Sequence, residues 1–292
     1  MDVTINNFTG NNPTGFDTSR FRGNYSICQD DWSVDQDYAG YQAADHALWR
    51  QLYAEQLPLV KQYAAAEFIT GLESFDCSDG LPDLAKASQL LKKRSNWEIV
   101  VVPGIIPVQP FFHHLANRRF PVTNWLRTVD ELGYLVEPDI FHDFFGHVPL
   151  LMNKVFADFV QEYGKLALKA LELGVDSFYS RLFWFTVEFG LIHENGEVKA
   201  YGAGILSSPI ETNYSMNSTK PHWLGYDMLR IMHTDNRIDE LQPNYFVIDS
   251  YQQLFESTLV PMQKVIDQLK DVRLIERGEI IASDVVIKKG KD

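Results

Sequence analysis

From Tyr41 onward apolar side chains recur at three- and four-residue steps. Leu48, Trp49, Leu52 and Tyr53 fall on one face and predict a helix. Pro58 is expected to break or restart it, with a second helix running toward Leu72. FDCSDG (75–80) reads as a turn, and LPDLAKASQLLKKR (81–94) as a helix with Pro82 in its first turn. WEIVVVPG (97–104) is the best strand, and VQPFFHHLANRR (108–119) a short helix. LMNKVFADFVQEYGKLALKALELG (151–174) has the pattern of a long amphipathic helix closed by Gly174. SFYSRLFWFTVEFGLIHENG (177–196) predicts a second, more apolar one. VKAYGAGIL follows as a short strand, HWLGYDMLRIM as a helix, and residues 249–270 as a final long helix containing Pro261. The tail, LIERGEIIASDVVIKK, alternates as a hairpin does. The first 35 residues, rich in Asn, Gly, Thr and Asp, carry no sustained apolar period. The pattern therefore predicts a mainly α fold with small β elements. One domain over 36–270 lies between an extended arm (1–35) and a tail (271–292).

Composition supports a packed core and narrows the partners. Of 292 residues 45% are hydrophobic and 13% aromatic, too many for wholesale disorder. Lys and Arg number 26 against 39 Asp and Glu, a net charge of −13 that repels nucleic acid and anionic membrane. The most apolar run, IVVVPGIIPV (99–108), is too short to span a bilayer and holds two prolines. MDVTINNFTG lacks the features of a signal peptide, so a cytoplasmic protein is expected. Two cysteines, Cys28 and Cys77, make neither a disulfide framework nor a thiolate zinc site.

Residues 137–151, EPDIFHDFFGHVPLL, place His142 and His147 among phenylalanines, with Asp139 and Asp143 close by. Pro138 suits a first helical position, Gly146 a left-handed cap, and Pro149 forbids simple continuation. On a regular helix five residues turn through about 500°, leaving the rings roughly 140° apart. A shared metal therefore requires the helix to end here, with a turn at Gly146 swinging His147 back. Glu188 strengthens the metal reading. Its helical neighbours Trp184, Phe185, Leu191 and Ile192 are all apolar, so the carboxylate is expected to be buried and to need a cation, either a metal or an arginine such as Arg181. Two histidines and one carboxylate form the facial set of non-haem Fe(II) oxygenases, and can equally hold catalytic zinc. Ligand type alone does not separate the two.

EPDIFHDFFGHVPLL, FWFTVEFG and YGAGILSS, in this order and spacing, closely resemble the aromatic amino acid hydroxylases over roughly residues 36–270. The short chain is most similar to the bacterial members acting on phenylalanine. Members use Fe(II), tetrahydropterin and O₂ to hydroxylate an aromatic amino acid, so the resemblance favours iron and marks 36–270 as a catalytic domain. It implies that His142, His147 and Glu188 are the iron ligands and the catalytic centre. On the substrate side it implies Arg127 as binder of the amino acid carboxylate, with Asp139 in its network, and Trp184, four residues before Glu188, as an aromatic wall. Ser207 corresponds to a hydroxyl supporting a ligand histidine, with Glu211 nearby. For the pterin it implies a stacking ring at Phe111, a lining loop at Gly104 and Ile106, and Asp143 in water-mediated contact where many animal relatives carry Glu.

Phe183 departs from a tyrosine frequent in relatives, and Gly133 to Val136 follow the animal enzymes too loosely to carry a contact. With no segment resembling the regulatory domain or tetramerisation helix of animal members, a monomer or loose dimer is expected. Tyrosine or tryptophan is the alternative substrate, although Trp184 argues against tryptophan. A zinc hydrolase lacks an HExxH element and an obvious base, while a non-catalytic metal-stabilised binding protein would have no use for Arg127 or the pterin loop.

Overall fold

The computed structural model describes residues 16–132, 135, 137–269 and 272–291. The first fifteen residues of the arm, Gly133, Tyr134 and Val136 of the weakly matching stretch, and residues 270, 271 and 292 lie outside them. The described residues begin with single 3-10 turns, then form α1 (Ala43–Tyr63), α2 (Ala66–Ser74), α3 (Leu84–Ser95), β1 (Glu98–Val102), α4 (Val108–Ala116) and β2 (Arg119–Thr123). A π-helix (Phe141–His147) and a 3-10 turn (Pro149–Met152) lead into α5 (Lys154–Glu172) and α6 (Asp176–Phe183), which a second π-helix (Trp184–Glu188) extends. Then come β3 (Leu191–Glu194), β4 (Glu197–Ala200), α7 (Ala203–Leu206), α8 (Pro209–Asn217), β5 (His222–Gly225), α9 (Met228–Met232), β6 (Asn244–Ile248), α10 (Tyr251–Thr258), α11 (Met262–Leu269) and β7 (Val286–Lys288). The mainly helical architecture with small strands is the one the apolar periods predict.

Several boundaries differ. Pro58 lies inside α1, which runs on past it. Leu48, Trp49, Leu52 and Val60 bury their side chains on both sides of the proline, and this packing outweighs one missing N–H bond. Pro82 precedes α3, whose cap is Asp83, accepting from the Lys86 N–H. The apolar run 177–196 is not one helix. It stops at Glu188, and Leu191–Glu194 turns back antiparallel onto Glu197–Ala200. Asn195 (φ 52°) and Gly196 (φ 83°) supply the two left-handed residues of a tight hairpin, an Asn-Gly signal that the surrounding apolar period masks. HWLGYDMLRIM divides into β5 and α9, and YGAGIL yields the short helix α7 after β4. Pro261 separates α10 from α11. The end of the predicted helix 108–119 becomes β2, parallel to β1 in register Val100↔Pro121.

The second sheet has the order β4-β3-β6-β5-β7. Its last strand is the tail, which pairs with β5 rather than with itself. The reason is a buried clasp upstream of β7. The Arg230 guanidinium donates from Nε to Asp284 at 2.8 Å, from Nη1 to the Thr234 hydroxyl at 2.6 Å and from Nη2 to the Glu279 carbonyl at 2.7 Å. Cys28 and Cys77 are free thiols. Among the described residues, no helix is long and apolar enough to cross a membrane.

Both partners of the clasp are almost fully buried, so deleting one leaves an uncompensated charge. Asp284→Ala is expected to lower the unfolding free energy by about 3–5 kcal/mol in urea titrations. An unchanged midpoint would show that the tail is held by something else.

Candidate active site

Phenylalanines make the first π-helix a rigid core element. Phe141 and Phe145 stack at 4.7 Å, Trp49 meets Phe141 edge-on at 5.3 Å, and Phe75 meets Phe144 at 5.4 Å. Asp139 starts the segment by accepting the His142 N–H at 3.0 Å, so Pro138 stands just outside it. In a π-helix each N–H bonds to the carbonyl five residues back, which brings residues five apart onto the same side. His142 and His147 therefore meet without the predicted turn at Gly146. Gly146 stays within the helix, and its missing side chain serves close approach instead: a Cβ there would lie 3.0 Å from the Ala203 carbonyl oxygen.

The second ligand segment is also π-wound, with the Phe189 N–H donating to the Trp184 carbonyl at 2.9 Å. Trp184 and Glu188, expected to share a face at α-helical spacing, instead sit within one wide turn. The Trp184 indole N–H donates to Gln242 at 3.0 Å, and its ring lies 4.6 Å from that of Phe189. Behind Glu188 runs YGAGILSS. A Cβ on Gly202 would lie 2.4 Å from the Glu188 carbonyl oxygen, so the glycine lets the two backbones touch. Five residues on, the Ser207 hydroxyl reaches His142.

Together these elements converge three donor groups. Nε2 of His147 lies 3.2 Å from one Glu188 oxygen, Nε2 of His142 lies 3.5 Å from the other, and the two nitrogens are 3.3 Å apart. One ligand atom from each residue falls within 4.8 Å of the others. The Ser207 hydroxyl donates to the Ala203 carbonyl (2.8 Å) and accepts from His142 Nδ1 (2.8 Å), which puts the imidazole proton on Nδ1 and turns the Nε2 lone pair inward. Burial pushes the His142 imidazolium down to about 4, so the ring is neutral near pH 7. Burial also pushes Glu188 up, but the two imidazoles outweigh it and hold the carboxyl below its ordinary range. Facing imidazole nitrogens and a buried carboxylate are costly alone and well matched to a divalent cation. His147 is wedged against Phe120, ring centres 4.9 Å apart.

The other predicted residues fall around Asp139, around the loop between β1 and α4, and at Glu211. Arg127 grips Asp139 in a two-pronged pair, Nε at 2.8 Å and Nη2 at 2.9 Å, and its backbone N–H donates to the same carboxylate at 3.0 Å. Asp139 is wholly buried and touches both Arg127 and the His142 backbone. Gly104 and Ile106 lie in the loop between β1 and α4, and Phe111 follows on α4, half-buried with its ring edge-on to Phe183 at 5.7 Å. Asp143 accepts the Thr123 N–H at 2.8 Å, and burial pushes its carboxyl up to about 7. Glu211 lies near Ser207 on α8, and its backbone N–H donates to the Ser208 hydroxyl at 3.2 Å. It points to Tyr245, whose hydroxyl donates to it, and is not one of the converging donors. Phe120, Thr123, Gln242 and Tyr245 were not singled out from sequence. Each reaches the site from a distant segment and carries no local signal.

The comparisons with known proteins agree with this geometry. A family model described as biopterin-dependent aromatic amino acid hydroxylase matches residues 32–275. The chain belongs to the biopterin-dependent aromatic amino acid hydroxylases. It is 47% identical over 272 residues to the phenylalanine-4-hydroxylase of Chromobacterium violaceum, covering 92% of each chain. It is 45% identical to the enzyme of the same name from Ralstonia nicotianae, covering 89% of this chain and 83% of that one. The crystal structure of the C. violaceum hydroxylase with bound oxidised Fe(III) superposes with a TM-score of 0.85 at 48% identity, covering 88% of this chain and 94% of that one. This hydroxylase is thus built on the fold of its bacterial relatives.

Glu211 gives the hydroxylase a pH signature away from the metal ligands. Burial raises its carboxyl from 4.5 to about 7, so the folded state favours the protonated form. The resulting stability is full below pH 4.5 and is lost as pH rises through about 7. Glu211→Gln should remove about 3 kcal/mol of the decline across that window, read as the difference between wild-type and variant denaturation free energies at each pH. Parallel curves would mean that the carboxyl ionises as freely folded as unfolded.

Proposed function

We propose that this hydroxylase converts L-phenylalanine to L-tyrosine with Fe(II), a tetrahydropterin and O₂. The observation that carries the reading is the placement of Asp139, which accepts from Arg127 with both oxygens and, with one of them, also from the His142 N–H that starts the histidine segment. His142, His147 and Glu188 would hold the iron, two imidazoles and a carboxylate being the donor set suited to it. Bound iron and the reduced pterin together supply the activation of dioxygen.

The chain's own residues bind, orient and exclude water. Arg127 spends two N–H groups on Asp139 and keeps the rest of its fork for the substrate carboxylate, a geometry suited to two-pronged recognition. Trp184, anchored by Gln242, walls the substrate ring beside Glu188. Phe111 offers its ring to the pterin, Gly104 and Ile106 line that subsite, and Asp143 contacts it through water. Ser207 keeps the His142 lone pair on the metal. Phenylalanine is favoured over tyrosine or tryptophan because the bacterial relatives at 45–47% identity carry that name and because Trp184 occupies the wall. Residues 36–270 act as the catalytic domain of a cytoplasmic monomer or loose dimer.

Tyrosine formation by the Fe(II)-loaded chain from phenylalanine, tetrahydropterin and air tests the reading. Omission of iron or pterin should abolish the product. Bound iron with no product from any aromatic amino acid would instead indicate a binding protein. Glu188→Ala should eliminate hydroxylation while the circular dichroism spectrum stays that of wild type; a fully active variant would sink the ligand assignment. Ser207→Ala should weaken iron affinity roughly 10- to 100-fold in chelator competition, since it frees the His142 ring to rotate.

A further inference from the structure

The described part of the arm, from Phe16 on, contacts two segments that carry the proposed subsites, the loop between β1 and α4 and the stretch around Arg127. It folds on its own aromatic cluster. Phe16 stacks on Phe21 at 5.4 Å and meets Trp32 edge-on at 5.4 Å, while Tyr25 sits 6.2 Å from Phe21 and 6.3 Å from Trp32. The cluster is anchored to the domain by Asp31, which pairs with Arg119 at 2.8 Å and whose carbonyl lies 2.8 Å from His114 Nε2.

From this base two side chains reach toward the site. The Tyr25 hydroxyl donates to the Ile105 carbonyl at 2.8 Å, inside the loop of Gly104 and Ile106. Arg22 reaches the segment that carries Arg127. Its guanidinium pairs with Glu131 and lies 4.6 Å from the centre of the Trp125 ring, and its backbone N–H lies 3.3 Å from both oxygens of Glu137. Glu131 in turn accepts from the Thr128 N–H and hydroxyl, each at 2.8 Å, which fixes the turn directly after Arg127. Trp125, two residues before Arg127, donates to the Pro103 carbonyl at 3.0 Å. Arg22 therefore grips the Arg127 segment on both sides, and Trp125 ties that segment to the loop that Tyr25 holds.

We propose that Arg22 is a positioning residue for amino acid binding: by clamping Trp125 and Glu131 from the arm, it holds Arg127 in place to receive the substrate carboxylate. The proposal rests on the reading of Arg127 as the carboxylate binder. Arg22 touches neither substrate nor metal. It acts by removing the freedom of a surface segment whose only role at the site is to present one guanidinium. A partly exposed ion pair contributes little to overall stability, so the clamp is expected to register in binding rather than in folding.

The test uses the full-length iron-loaded protein. Phenylalanine binding is measured by calorimetry, and KM and kcat by tyrosine formation. Arg22→Ala should raise the dissociation constant and KM for phenylalanine about three- to tenfold. kcat should change by less than about twofold, with iron content and Tm as in wild type. Arg22→Lys should recover most of the affinity, since an ammonium can still pair with Glu131 and face Trp125. Glu131→Gln should weaken binding as Arg22→Ala does, and the double variant should be no worse than either single one. Unchanged phenylalanine affinity in Arg22→Ala, or a loss accompanied by lower iron content or Tm, would overturn the clamp. Arg127→Ala separates the two levels. If it weakens binding while Arg22→Ala does not, the clamp alone is wrong; if Arg127→Ala binds normally, the carboxylate reading falls and takes the clamp with it.

Discussion

Two imidazole nitrogens and a carboxylate, buried within hydrogen-bonding distance of one another, are the constraint around which this molecule is built. Left alone they are an electrostatic liability, because lone pair faces lone pair in a setting with little water to screen them. The fold does not relieve the liability by moving the groups apart. It spends core packing on holding them together: phenylalanines lock the first ligand helix, Phe120 braces His147, and Ser207 fixes the His142 tautomer. A protein interior arranged so firmly against its own electrostatic preference is arranged for a cation.

The same economy extends outward from Asp139. One buried carboxylate starts the helix of His142 and orients Arg127, directly upstream of Glu131's turn, so the histidine segment and the proposed amino acid site share a single joint. Pairing of this kind transmits geometry over short distances without a moving part. It also explains why Asp139 tolerates complete burial, since both its oxygens are matched by donors.

Much of this was legible in the residues. The apolar stripes of α1, α3 and α5 gave their positions, the density of histidine and aspartate in 137–151 marked the centre, and the unrelieved apolar surroundings of Glu188 marked a buried carboxylate in need of a cation. What stayed hidden has physical causes. Winding is decided by packing on three sides, so a period count reads 141–147 as α-helical and needs a turn at Gly146 to close the site. Tertiary burial likewise overrode the breaker at Pro58, and a strand that opens with two buried apolar residues, Leu191 and Ile192, directly after an apolar helix reads in sequence as more of that helix. Glu211 shows the opposite limit. Resemblance put it beside Ser207 and said nothing of its hydrogen bond to Tyr245, on a strand with no sequence proximity to advertise it.

The π-winding of both ligand helices bears on how such a chain can change over time. A wide turn holds one residue more than an α turn. Adding a further residue between Trp184 and Glu188, with no wider winding to absorb it, would swing Glu188 by about 100° away from the histidines. These segments can therefore exchange side chains but cannot take in another residue. The Asn195–Gly196 hairpin lies only a few residues farther on. There nothing stands within 4 Å of where a side chain on Gly196 would begin, and insertions have room to accumulate. Within one short stretch, this hydroxylase places its least and its most permissive positions for insertion almost side by side.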